Sequence, residues 1–163
     1  MRVHIQHIHI FIKHALVTKA NETQMTDLYP FSTTLKVRFD ETDAQGHVNF
    51  ARYLHYFDFA LTEYLRAIGF SYQRMLAENM DMLYVDSHAS YHAPAHFEDL
   101  LHIHCRVGKV GNSSVRFDFQ IFNETKDRLT ANGEITIVMA DHRTFQKMRV
   151  PDHFRQALEE EPK

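Results

Sequence analysis

The chain has 163 residues, 44% of them hydrophobic, with 18 basic against 21 acidic side chains and a formal net charge of −3. That length suits one domain with a real core, and the acidic balance is the wrong footprint for a nucleic-acid partner. No apolar run approaches the ~18 residues that span a bilayer, and the single cysteine, Cys105, excludes an intrachain disulfide, so a cytoplasmic protein is expected.

The first 24 residues, MRVHIQHIHIFIKHALVTKANETQ, pair a histidine-laced apolar front with a polar tail. Arg2, Lys13 and Lys19 are the only cationic side chains there, and no small-residue cleavage pattern follows, so the segment makes a poor signal peptide. His4, His7 and His9 have no carboxylate or cysteine close by in sequence to complete a metal site. Met25 begins MTDLYPFSTTLKVRF just ahead of the first strand pattern. The expected layout is a loosely ordered extension over 1–24 and one domain over 25–163.

From Thr33 the chain alternates. Leu35, Val37 and Phe39 interleave with Lys36, Arg38 and Asp40, the period of a half-buried strand. Then Phe50, Tyr53, Leu54, Phe57, Leu61, Tyr64, Leu65 and Ile68 recur at spacings of three and four, a wide apolar stripe on a helix of about five turns. Asn49 suits its N-cap, and Gly69 suits the left-handed residue that closes it. A short helix is predicted over roughly Tyr72 to Asn79. Four strands follow: one with Leu83, Val85, Ser87, Ala89 and Tyr91 on a face, one with Leu101, Ile103, Cys105 and Val107, one with Val115, Phe117, Phe119 and Ile121, and one from Leu129 to Met139. GKVGNSS and NETKD supply the intervening turns, and Pro151 opens a C-terminal helix. The predicted fold is α+β: a curled antiparallel sheet of about five strands wrapped around one long central helix, the hotdog architecture, although cup-shaped α+β folds give a similar string.

The chemistry is concentrated in DETDAQGHVNFARYLHYFD, residues 40–58. A helix N-terminus offers free amides and a positive dipole end, which suit a developing oxyanion. Asp43 lies just upstream in a loop that Gly46 lets turn tightly, placed to act as nucleophile or as general base on a water, with His47 as its orienting or proton partner. The residues alone leave a plainer alternative open: Asp40, Glu41 and Asp43 as a solvated charge cluster, with Asp43 only shaping a turn.

The segment RFDETDAQGHVNFARYLHYFDFALTEYLRAIG resembles the signature of the 4-hydroxybenzoyl-CoA-thioesterase-like acyl-CoA thioesterases, a hotdog family. The likeness continues through SYHAPAHFEDLLHIHCRVGKVGNSSVRFDFQIFN and MADHRTFQKMRVP, covering roughly residues 33 to 155. The resemblance implies a thioesterase without metal or cofactor, in which Asp43 matches the catalytic aspartate and the amides of Asn49, Phe50 and Ala51 polarise the thioester carbonyl. It implies an acyl group on CoA or on an acyl-carrier protein, and a homodimer or homotetramer with active sites at the dimer interface. Tyr91, His92 and Pro94 fall near the thioester in relatives, and Ser113 and Ser114 match a small polar pair that approaches the partner subunit's site. The match is not uniform. One subgroup has histidine seven residues after the aspartate, where this chain has Phe50. Another has H-V-N-N-A-R-Y, of which this chain keeps all but the second asparagine.

Other residues carry weaker signals. Asp58 and Glu63 lie on the central helix, where some hotdog enzymes place a carboxylate, although Glu63 is spaced to pair with Arg66. His102 and His104 share a strand face read as polar surface or interface, and Cys105 alternates inward as a small apolar residue. Two competing functions remain. One is a hotdog hydratase or dehydratase, whose histidine and proline-glycine loop this chain lacks. The other is a non-catalytic acyl-binding module in which Asp43 only shapes a turn.

Overall fold

The computed structural model describes residues 28–160, so the expected extension over 1–24 and the domain start at Met25 lie outside the described residues. Five strands, β1 (Phe31–Lys36), β2 (Met80–Tyr91), β3 (Leu100–Val110), β4 (Ser114–Asn123) and β5 (Arg128–Asp141), form one antiparallel sheet in the order β1-β3-β4-β5-β2. Strands β3, β4 and β5 are a meander joined by the two predicted turns. The first strand pairs with β3, from Phe31 opposite Cys105 to Lys36 opposite Leu100, and β2 closes the other side against β5.

Alternation puts Leu101, Ile103 and Cys105 of β3, Phe117, Phe119 and Ile121 of β4, and Ile135, Ile137 and Met139 of β5 on one buried face. Helix α1 (Arg52–Ala67) lays Phe57, Ala60, Leu61 and Tyr64 onto it. Phe57 stacks on Phe119 with ring centroids 4.9 Å apart, and Tyr64 meets Phe117 edge-on at 5.8 Å. Each such side chain contributes roughly 1.5–3 kcal/mol by leaving water. Gly133 makes room for this contact: a Cβ there would sit 2.5 Å from the Phe57 ring and 2.2 Å from the His88 carbonyl oxygen. Gly69 closes α1 at φ +82°, with the Phe70 amide returning to the Leu65 carbonyl at 2.8 Å. Two short helices, α2 (Tyr72–Ala77) and α3 (Asp152–Glu159), complete the described chain, and Phe154 of α3 packs against Phe70 at 4.8 Å.

Two strand expectations are corrected. The first strand ends at Lys36, and Phe39 is not inward but 76% exposed in a 3-10 turn (Phe39–Glu41), edge-on to Phe97. In β2, Leu83 and Val85 do not share a face with Ser87, Ala89 and Tyr91. The β2–β5 register shifts between Tyr84 and Asp86, so Val85 is an extra residue and the alternation inverts across it. Tyr84 stands opposite inward Ile137, whereas Leu83 stands opposite Val138 on the other face. Among the described residues no helix is long and apolar enough to cross a membrane.

Candidate active site

Residues 41–49 form a narrow loop that runs out from the 3-10 turn and back to α1. Thr42 and Val48 bridge its base, the Asp43 amide donates to the His47 carbonyl at 3.1 Å, and Gly46, at φ +79°, donates to the Asp43 carbonyl at 2.9 Å. Only a residue free to adopt positive φ closes so tight a turn without strain. The Asp43 carboxylate is half-buried and takes the Gln45 amide at 2.9 Å. The loop is anchored at the Asn49 amide, which donates to the Glu41 carbonyl at 3.0 Å, and at the Val48 amide, which donates to Ala95 at 2.8 Å.

Asn49 stands two residues ahead of Ala51, the N-cap of α1, rather than at the cap itself. The reason is a preliminary turn: its side-chain oxygen accepts the Ala51 amide at 3.0 Å, and its carbonyl accepts the Arg52 amide at 2.9 Å. Of the three amides expected at the oxyanion position, that of Asn49 is committed to the Glu41 carbonyl and that of Ala51 to the Asn49 side chain. The Phe50 amide has no acceptor among the described residues.

The opposite wall is built by the end of β2 and the segment after it. The Tyr91 hydroxyl donates to the Phe50 carbonyl at 3.0 Å, and its ring lies edge-on to Tyr53 at 5.2 Å. The His92 and Ala93 amides donate to the Thr130 carbonyl at 2.9 and 3.2 Å, and Arg128 holds the Pro94 carbonyl at 2.7 Å. Beneath them Asp99, 3% exposed, accepts from the His96 amide and from Asn123, itself fully buried.

Between loop and wall lies a cavity of about 390 Å³. Asp43, His47, Phe50, Tyr91, His92 and Pro94 all line it. Val48 and Tyr53 line it too, as do Gln45 and Ala93, to which the sequence assigns no role. Tyr53 enters from sequence through the helix stripe and the H-V-N-N-A-R-Y pattern, and burial raises its phenol above the ordinary value, so it presents a neutral hydroxyl. The His47 ring is not hydrogen-bonded to the Asp43 carboxylate: its Nδ1 lies 3.4 Å from the Val48 carbonyl oxygen. The two residues are joined through main chain instead. His92 Nε2 meets the side chain of Asn132.

Ser113 and Ser114 are not brought to this cavity. They sit in the β3–β4 turn, where the Ser113 carbonyl accepts the Met139 amide and the Ser114 carbonyl accepts the Gly111 amide. Asp58 lines a separate cavity of about 340 Å³ and accepts the Tyr84 hydroxyl. Glu63 pairs with Arg66, as its spacing predicts. His102 bonds Glu124 at 2.5 Å, and Cys105 is fully buried, its thiol pushed well up by desolvation. The solvated cluster does not hold as a unit, because Glu41 is only 5% exposed.

The family model of the thioesterase-like superfamily matches residues 37–158 of this chain. The acyl-CoA thioesterase YbgC of Haemophilus influenzae is 36% identical over 96 residues, 58% of this chain and 71% of its own length. The long-chain acyl-CoA thioesterase FadM of Escherichia coli is 30% identical over 128 residues, 78% of this chain and 96% of its own. A crystal structure of a hypothetical protein from Aquifex aeolicus superposes with a TM-score of 0.74 at 26% identity, covering 79% of this chain and 99% of that one.

Proposed function

The chain belongs to the thioesterase-like superfamily, with its hotdog fold, and from that premise we propose that it hydrolyses acyl or aroyl thioesters of CoA, or of an acyl-carrier protein, through Asp43. The observation that carries this reading is the cavity shared by Asp43 and Phe50 at the start of α1, the Phe50 amide having no acceptor among the described residues.

In this reading the thioester carbonyl oxygen sits at the Phe50 amide, near the positive end of the α1 dipole. A donor placed where charge develops is worth ~2.7–4 kcal/mol in the transition state. Asp43 then attacks the carbonyl carbon, forming an anhydride that water opens, or takes a proton from a water that attacks in its place. Either route expels the thiolate, which is protonated to the free thiol. His47, which lines the same cavity but is not tied to Asp43, serves as the proton partner. Tyr91, His92 and Pro94 shape the slot around the thioester.

The proposal extends to assembly. Strand β2 is an edge of the sheet, and Leu83, Tyr84 and Val85 on it are 37%, 52% and 57% exposed. Such an edge is open to a second copy. Two β2 edges paired antiparallel bring the Tyr91 end of one against the Met80 end of the other, and so place each cavity at the interface of a homodimer. A homotetramer would pair two such dimers.

The test is thiol release from a panel of short, long and aromatic acyl-CoAs, comparing wild type with Asp43→Ala. Release by wild type should fall roughly 10²–10⁴-fold in the variant. No release from any thioester, or undiminished release by Asp43→Ala, would overturn the reading.

A further inference from the structure

Two residues ahead of Asp43, the reaction leaves a buried carboxylate without a role. Glu41 is 5% exposed, and burying a carboxylate is costly unless both oxygens find donors. They do. Oε2 accepts the Arg38 amide at 2.7 Å and the Tyr56 hydroxyl at 3.0 Å, and Oε1 accepts the Arg38 guanidinium at 3.0 Å.

The partners are mechanically unlike. Arg38 has a side chain 72% exposed and belongs to the loop's own approach. Tyr56 is 3% exposed and sits in α1, its ring held edge-on to Tyr53 at 5.9 Å. The main chain of Glu41 adds a second tie, its carbonyl accepting the Asn49 amide at 3.0 Å. Glu41 is thus fastened twice, once to the lead-in of α1 immediately before Phe50 and once to a side chain on α1 itself. Asp43 follows it by two residues, and the Phe50 amide follows the Asn49 tie by one.

We propose that Glu41 is a positioning residue: with Tyr56 it clamps the Asp43 loop to α1 and so fixes the carboxylate relative to the Phe50 amide. This rests on the assignment of Asp43 and Phe50 made above. Attack requires both groups to meet one carbonyl, and a misplacement of about 1 Å can cost up to ~10²-fold in rate. Arg38, Glu41 and Tyr56 do not line the Asp43 cavity, so loss of the clamp acts on the chemical step more than on binding.

Tyr56→Phe removes the hydroxyl and keeps the ring in the core, and Glu41→Gln keeps the volume while losing the charge. Each should lower kcat about tenfold while KM stays within about twofold, assayed well below its own melting temperature. Because the two act as one unit, the double variant should fall no further than the worse single. Arg38→Ala, at an exposed site that leaves the core untouched, should show a smaller fall of about threefold, again in kcat, and keeps the test decisive if a core variant fails to fold. Wild type and Asp43→Ala run beside them separate the two claims. Absent wild-type hydrolysis overturns the assignment of the site. Wild-type hydrolysis that Asp43→Ala abolishes, with kcat unchanged in Tyr56→Phe and Arg38→Ala, or with the effect appearing in KM, overturns the clamp alone.

Discussion

Tyr91, the last residue of the edge strand β2, donates its hydroxyl to the Phe50 carbonyl at 3.0 Å, so the far wall of the cavity holds the residue that opens onto α1. Phe50 itself is 67% exposed and has little packing of its own to fix it. Tyr91→Phe removes that one bond and keeps the ring against Tyr53. A neutral hydrogen bond contributes about 0.5–1.5 kcal/mol, so kcat should fall roughly two- to tenfold with the melting temperature near that of wild type. Steady-state kinetics on the preferred acyl-CoA would decide it, and an unchanged kcat would mean that Phe50 is held well enough without Tyr91.

A stability prediction comes from Gly133. The side chain of Phe57 can move only by giving up its stack on Phe119, and the His88 carbonyl belongs to the β2–β5 ladder. Neither neighbour is a flexible chain end. Gly133→Ala should therefore destabilise the protein by about 1–3 kcal/mol, the cost of overpacking a filled core. Urea unfolding gives the number. A variant as stable as wild type would show that β2 can shift away from β5 at little cost.

Most of the architecture could be read from periodicity, because a buried face leaves a mark every second or every third and fourth residue. The meander residues Leu101 to Cys105 and Phe117 to Ile121 are the clearest case, and Gly69 marked the end of α1 by itself. What misled was local and cooperative. The extra residue at Val85 reverses the faces of β2 without any glycine or proline to announce it. Phe39 continued the alternation of β1 in sequence but lies beyond the last paired residue. The candidate site was legible where chemistry is carried by side-chain type, as with Asp43 and His47. It was not legible where the role depends on who is already bonded: the Asn49 amide is taken by the Glu41 carbonyl and the Ala51 amide by the Asn49 side chain, and Glu41 became buried through Tyr56, fifteen residues away.

His104 gives the fold a pH dependence with a definite sign. The residue is 5% exposed, and its Nδ1 has no hydrogen-bond partner among the described residues. Burial, reinforced by neighbouring His102, lowers its imidazole from the ordinary value to about 4. In the unfolded chain the ring gains a proton as pH falls through about 6.5, whereas the folded protein resists it until about 4. Stability is thus lost as pH falls across that window, by an amount on the order of 3 kcal/mol. His104→Leu cannot gain the proton in either state. Urea unfolding at pH 7.5 and 4.5 should show the variant losing less stability than wild type, and equal losses would remove His104 from the acid response.

The proposed assembly makes the edge of β2 the most informative surface to alter. Leu83 and Val85 lie on it, exposed and apolar, next to the register shift. A strand edge that pairs with its own copy tolerates apolar side chains, whereas lysine is what natural edges use to prevent such pairing. Leu83→Lys with Val85→Lys should therefore leave the folded protomer intact, since neither side chain belongs to the core, yet weaken association by 100-fold or more. Sedimentation at several micromolar would read wild type as a dimer or tetramer and the double variant as a monomer. Activity then adds a second readout. If the cavity lies at the interface, the monomeric variant should lose thioester hydrolysis together with its partner, and activity should return as protein concentration rises. A monomeric wild type would exclude this interface, and a fully active monomeric variant would show that one chain holds the complete site.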